Sequence, residues 1–184
     1  MSNVNLHLGC GSKYLDGFIH IDLDRQEHID IPNTDISDIP MIDDSSVDLI
    51  YTCGSFEYFD REEAPRVLEE WKRVLKVGGC LKISVPDFEA IVEVYQKNKD
   101  VDGIGILGPL YGKWQINNKS YVYHKTVYDF ASLKNMLKNV GFREVKKYNA
   151  FDFLPEGYDD YSLAYVPHMD RDGIQMHLNV ECIK

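Results

Sequence analysis

VLEEWKRVLKVGGCLKISV, residues 67–85, is the stretch on which the fold turns. Val67, Leu68, Trp71, Val74 and Leu75 recur at helical spacing and lay one apolar stripe along a helix. Gly78-Gly79 follows, where a left-handed residue is tolerated, and is expected to end that helix. CLKISV, residues 80–85, then reads as a buried strand, and VDLIYT, residues 47–52, reads as another on the upstream side. Strand, helix and strand in that order predict a parallel pair with a right-handed crossover.

Working outward, the pattern repeats. Asp60 with Glu63 resembles a capping pair, while Pro65 prefers a first helical turn, so the helix start falls between residues 61 and 64. A second helix opens at Asp87, with Phe88, Ile91, Val92 and Tyr95 as its stripe. A third covers residues 129–140, with Phe130, Leu133, Leu137 and Val140 inward and Gly141 as the stop. Residues 143–150 and 175–183 read as strands, and the stretch between them carries no helical stripe, so an antiparallel hairpin is expected at the end of the chain.

The beginning is abbreviated. Residues 4–8 and 18–23 read as strands, yet only the seven residues 12–18 lead from the glycine turn at residues 9–11 into the second. A parallel crossover normally takes a dozen residues or more, so a single turn or an extended return is expected there. Any further strand at residues 28–31 is marginal for the same reason. The fold class is therefore α/β: a Rossmann-like, doubly wound, mostly parallel sheet with a trimmed N-terminal half and a C-terminal antiparallel hairpin.

Composition sets outer bounds. A chain of 184 residues is expected to form a single domain, residues 1–184. Asp and Glu exceed Lys and Arg by 30 to 20, giving a net charge of −10, which disfavours a broad groove for nucleic acid. No apolar run approaches the length of a membrane span, and the start carries no secretory signal. Cys10, Cys53, Cys80 and Cys182 form no CxxC pair, so four reduced thiols and a cytoplasmic location are expected. The oligomeric state is not legible.

The residues that carry chemistry cluster at strand ends. LHLGCGSK, residues 6–13, stops a strand in Gly-x-Gly, and glycine lets backbone N–H groups approach a ligand. Tyr14 stands where the third glycine of a dinucleotide fingerprint belongs, which counts against nicotinamide binding. Asp22, at the tip of the next strand, is placed either to hold ribose hydroxyls or to cap a turn. In TDISDIPMIDDSSVD, residues 34–48, Asp35 can accept from an exocyclic amine and the Ile36 amide can meet a ring nitrogen, unless the stretch is only a polar loop.

Together these segments resemble the class I S-adenosylmethionine-dependent methyltransferases, in particular a small subgroup known as predicted methyltransferases. The resemblance rests on LHLGCGS, Asp22, the run from Asp35 to Asp48, Arg73-Val74-Leu75-Lys76-Val77-Gly78-Gly79 and Val140-Gly141-Phe142. It implies a seven-stranded sheet with one antiparallel strand and S-adenosyl-L-methionine as cofactor. It places Gly9, Cys10 and Gly11 along the methionine portion, Asp22 on the ribose, Asp35 and Ile36 on the adenine, and Cys53 facing the cofactor. Two positions depart from the pattern: His7 stands where many members have Asp, and Phe56-Glu57-Tyr58 replaces Leu-Glu-His.

The acceptor side rests on fewer signals. His124, in YVYHKT before the third helix, is the candidate general base, with a surface or helix-entry role as the alternative. Glu57, Tyr58 and Asp87 are weaker candidates from loops at the same sheet edge, and each reads more readily as structural, Asp87 as a helix cap and Glu57 as a residue near a loop-to-helix entry. Residues 151–174 form an insertion with five aromatics, expected to shape the acceptor pocket. No metal site is expected: His168, Asp170 and His177 match no ligand spacing. The expected activity is methyl transfer to an oxygen of a small polar acceptor, a sugar or sugar-linked metabolite of surface polysaccharide synthesis. The alternatives are a non-catalytic protein with a surviving cofactor cleft, a nicotinamide dehydrogenase and an aminopropyl transferase.

Overall fold

The computed structural model describes residues 3–102, 105–116, 120–168 and 170–184. The chain opens with β1 (Asn5–Leu8) and β2 (Ile19–Ile21), followed by β3 (Val47–Cys53), α1 (Ala64–Val74) and β4 (Leu75–Pro86). After β4 come α2 (Phe88–Asn98), the short α3 (Leu107–Tyr111) and a hairpin of β5 (Trp114–Ile116) and β6 (Ser120–Val122). Then α4 (Phe130–Val140) leads to β7 (Arg143–Lys147), a two-stranded ribbon of β8 (Tyr165–Val166) and β9 (Ile174–Gln175), and β10 (His177–Ile183).

Among the described residues the central sheet has six strands in the order β2-β1-β3-β4-β10-β7. β1 runs parallel to β2 and β3, β3 parallel to β4, and β10 antiparallel to both β4 and β7. The expected α/β class and the late antiparallel pair are both present. The seventh strand implied by the resemblance is reduced to one parallel bridge, Ile21 to Ile31. The few residues after β2 cannot supply a crossover helix, so the chain turns back along the edge instead. The connection from β1 to β2 is also an extended return, with turns and no helix.

The apolar stripes explain the packing. Val67, Leu68, Trp71 and Val74 of α1 are buried against the sheet beside Leu6, Leu8, Ile50 and Leu81. Burying each such side chain contributes about 1.5–3 kcal/mol. Asp60 and Glu63 form the reciprocal cap, Asp60 Oδ1 accepting from the Glu63 amide and Glu63 Oε2 from the Asp60 amide. That cap closes a turn just ahead of α1, which leaves Pro65 free to occupy the first turn, so both signals are satisfied. Asp87 caps α2, and Asp129 caps α4 with Ser132 as its reciprocal partner.

Two readings of the helices need correction. α1 ends at Val74, before Gly78-Gly79, because Leu75 is already extended and belongs to β4. Lys184 Nζ reaches back to the carbonyls of Arg73 and Leu75 and so caps the helix from the far end of the chain. In α2 the buried face is Ala90, Ile91 and Val94, whereas Phe88 and Tyr95 are exposed. The face of α2 is set by β9 and the residues around it, with which Ile91 and Val94 share a cluster containing Met176.

Candidate functional site

β1 and β3 end side by side, and the loops that leave them build one wall of a cleft. Gly9 and Gly11 both adopt positive φ, 65° and 53°, which turns the chain sharply off β1. A Cβ on Gly9 would overlap the Ser55 hydroxyl, which donates to the Gly9 carbonyl oxygen at 3.0 Å. The glycine there is thus required by close packing as well as by backbone conformation. Asp22 reaches across from the tip of β2: one oxygen accepts from the Gly11 amide at 2.8 Å, the other from the Asp24 amide at 2.7 Å. A carboxylate offers about four acceptor positions, so each oxygen keeps one for a ligand hydroxyl.

Asp35 is exposed at the rim, where one of its oxygens accepts from the Ser37 amide at 2.9 Å. Ile36 is buried behind it, and its carbonyl accepts from the Trp71 indole at 2.7 Å. Helix α1 therefore holds the loop in place through the same residue that anchors the core. Burial pushes the Cys10 thiol up to about 12, and burial next to Asp160 pushes the Cys53 thiol up as well. Both stay protonated and unreactive at neutral pH.

Gly9, Cys10, Gly11, Asp22, Asp35, Ile36, Cys53 and His124 all line a single cleft of about 1720 Å³. A drug-sized ligand fills a pocket of roughly 300–1,000 Å³, so this cleft has room for a cofactor and an acceptor together. The residues along the β1–β3 wall fit S-adenosylmethionine: a bare backbone cradle, a carboxylate at the second strand tip, and a further carboxylate at the rim. His7 sits in that wall, 2% exposed, with its Nδ1 unpartnered and its ring 5.2 Å from that of Tyr51. Burial lowers its pKa to about 3, so a neutral imidazole replaces the acid of the wider pattern.

The opposite wall is assembled from distant segments. His124 precedes α4, and its Nδ1 lies 3.0 Å from the Pro109 carbonyl. A carbonyl only accepts, so Nδ1 carries the hydrogen and the neutral ring presents a bare Nε2. A Cβ on Gly112 would overlap this imidazole, so that glycine makes the seat. Glu57, in a 3-10 turn just past β3, places Oε1 3.5 Å from His124 Nε2. His177 at the start of β10 pairs its Nδ1 with the Ser84 hydroxyl at 3.0 Å, under the ring of Tyr161.

The insertion is tied to the sheet at Asp160 and Ser162. Asp160 accepts from the Tyr51 hydroxyl at 2.5 Å and from the Ser162 amide at 2.9 Å, all buried beside the sheet. It lends Asp160, Tyr161, Leu163, Ala164 and His168 to the cleft. The hairpin β5–β6 contributes as much, and this was not foreseen: Trp114 stands over Gly11, 3.5 Å from where a Cβ would be. Glu57, one of the weaker candidates in the sequence, is the one that the structure brings against His124. Its position directly beyond a parallel strand is the signal that marks it, since ligands in open sheets bind there.

All four cysteines are free, and no group of three or more metal-binding side chains occurs among the described residues. No helix among the described residues is long and apolar enough to cross a membrane.

Comparison with known proteins agrees with this geometry. Residues 6–83 match the methyltransferase domain family. No curated protein matches the sequence. Among solved structures, a SAM-dependent methyltransferase from Archaeoglobus fulgidus is 15% identical at a TM-score of 0.59, over 99% of this chain and 86% of that one. An S-adenosylmethionine-dependent methyltransferase from Mesorhizobium loti is 16% identical at 0.55, over 100% of this chain and 91% of that one. The 1,6-didemethyltoxoflavin-N1-methyltransferase of Burkholderia thailandensis, with S-adenosylhomocysteine bound, is 12% identical at 0.54, over 98% of this chain and 70% of that one. At such identities the likeness establishes the fold, which is that of the class I methyltransferases.

Proposed function

We infer, from a methyltransferase domain seated in a class I fold, that the chain is an S-adenosylmethionine-dependent methyltransferase. The cofactor supplies a methyl group on a sulfonium, open to in-line displacement by an acceptor atom. What the chain does is hold two partners in line, and alignment of that kind is worth ~7–11 kcal/mol.

We assign the β1–β3 wall to the cofactor. Gly9, Cys10 and Gly11 run along its methionine portion, Asp22 accepts from the ribose hydroxyls, and Asp35 with Ile36 meets the adenine. Cys53 closes the floor as a neutral thiol. We assign the opposite wall to a small polar acceptor with a hydroxyl to be methylated, a sugar or sugar-linked molecule being the first candidate. Residues 151–174 and the β5–β6 hairpin shape that half, and Trp114, Tyr121, Tyr123 and Tyr161 offer the aromatic faces that flat, hydroxylated molecules pack on. His124 takes the hydroxyl proton at Nε2. The observation that carries the reading is the convergence of glycine bend, strand-tip carboxylate and bare imidazole nitrogen on one cleft large enough for two ligands.

Calorimetric titration with S-adenosylhomocysteine tests the cofactor assignment. A saturable heat with one site per chain is expected; no heat and no shift in melting temperature would remove it. A cofactor-binding protein without turnover is the second reading, favoured by His7 in place of an acid. Radiolabelled methyl transfer to a panel of sugars and nucleotide-sugars separates the two.

A further inference from the structure

Glu57 has no role in the assignments above, yet its surroundings are those of a working group. Its side chain is 2% exposed, and Oε2 is buried with no hydrogen-bond partner. A buried carboxyl oxygen left without a partner is destabilising until a ligand or water meets it. Oε1 faces His124 Nε2 at 3.5 Å, too far for a direct hydrogen bond of normal length. The neighbouring Gly54 leaves the space beside Oε1 clear, since a Cβ there would stand 3.8 Å from it and 3.2 Å from the Tyr161 ring.

We propose that Glu57 is a second catalytic residue, which seats the acceptor hydroxyl between its own Oε1 and His124 Nε2. The proposal rests on the methyltransferase reading and extends it to an oxygen acceptor that arrives with its proton. A hydroxyl oxygen on the cleft side of the pair can lie about 2.8 Å from each atom: it accepts from the Glu57 acid and donates to the bare imidazole nitrogen. As the hydroxyl attacks, its O–H bond breaks and the proton passes to Nε2. The electron pair so freed bonds the incoming methyl carbon, and the positive charge that leaves the sulfonium reappears on the imidazolium. That imidazolium then faces Oε1.

The protonation states required agree with the burial. A dry setting raises the Glu57 carboxyl to about 8 and lowers the His124 imidazole, so an acid and a neutral base stand side by side at pH 7. Of the groups around them, Tyr58 shares the turn and meets the His124 ring edge-on at 4.8 Å, while Tyr161 and His177 come from the C-terminal segment. Lys125 is drawn away to Glu63 at 2.8 Å, and among the described residues no Lys or Arg is paired with the Glu57 carboxyl.

The test is nitrogen NMR of histidine-labelled full-length protein, read at His124 from pH 5 to 10. The wild type should show a hydrogen on Nδ1, a bare Nε2 and an inflection of Nε2 near pH 8 as Glu57 ionises. Glu57→Gln and Glu57→Leu should both lose that inflection; superimposable curves in wild type and variants would overturn the pair. Glycerol is the hydroxyl probe, added with S-adenosylhomocysteine present. It should perturb Nε2 in the wild type and in Glu57→Gln, which keeps a neutral donor, but at least about tenfold more weakly in Glu57→Leu. Equal binding in Glu57→Leu would overturn the hydroxyl seat, and should that variant not fold, the alkaline curve of Glu57→Gln decides. S-adenosylhomocysteine should bind all three proteins alike. Failure of the wild type to bind it would sink the methyltransferase reading instead, which keeps the two outcomes distinct.

Discussion

The two walls of the cleft are built on opposite principles. Along the β1–β3 wall the loops are tied, Gly11 to Asp22, Gly9 to Ser55 and Ile36 to Trp71, while the buried His7 keeps Nδ1 unpartnered. Across the cleft, Glu57 keeps an orphaned oxygen and His124 a bare nitrogen, and among the described residues neither is paired with a Lys, Arg or Asp. The first wall is preorganised to hold one ligand in one pose. The second keeps its proton-handling groups dry and unspent, the condition under which carboxyl and imidazole pKa values move toward neutrality. Binding is thus assigned to satisfied hydrogen bonds and chemistry to unsatisfied ones.

The largest effect expected from breaking this contrast falls on the chemical wall. His124→Ala should lower turnover by ~10²–10⁴ and leave S-adenosylhomocysteine affinity nearly unchanged. Calorimetry alongside a methyl-transfer assay checks it, and near-normal turnover would return His124 to a structural role. On the binding wall the converse is expected. Asp22→Ala should weaken S-adenosylhomocysteine binding by about 1–3 kcal/mol, the cost of a lost charged hydrogen bond. Asp22→Asn, which still accepts from one amide, should fall between; equal affinity in all three proteins would remove the ribose assignment.

A further effect is on stability, and it sharpens the comparison through pH. His7 and His177 have folded pKa values near 3, far below the unfolded 6.5, so both stay neutral in the fold. The unfolded chain binds more protons between those values, and stability falls as pH drops from about 6.5 toward 3. Glu57 has the opposite sign. Its carboxyl is raised to about 8 from 4.5, so the folded state holds the extra proton and stability declines as pH rises across that window. Glu57→Gln should therefore melt higher than the wild type at pH 8–9, with the difference vanishing near pH 4.5. A variant whose melting temperature tracks the wild type across that range would contradict a buried neutral acid.

What was legible in advance follows from the range of the interactions involved. The stripe of Val67, Leu68, Trp71 and Val74, the caps at Asp87 and Asp129, and the turn at Gly9-Cys10-Gly11 are set by neighbours within a few residues, and they stand in the structure. So does the shortened start, since seven residues cannot make a crossover wherever they lie. The end of α1 was not legible, because Lys184 supplies its cap from 109 residues away. Nor was the inward face of α2, which β9 and Met176 select.

The site divides along the same line. Gly9, Gly11 and Asp22 declare themselves, because glycine freedom and a carboxylate at a strand tip are local facts. Glu57 stood only among the weaker candidates, since its acidity is a property of burial, and His124 from the loop before α4 and Tyr161 from the insertion close around it. Residue types and spacing marked the glycine bend and the strand-tip carboxylate; only the packing of residues 106–116, 120–125, 150–168 and 170–177 onto the strand ends decided where the opposite wall stands and which of its groups are dry, because desolvation belongs to the assembled fold and to no segment of it.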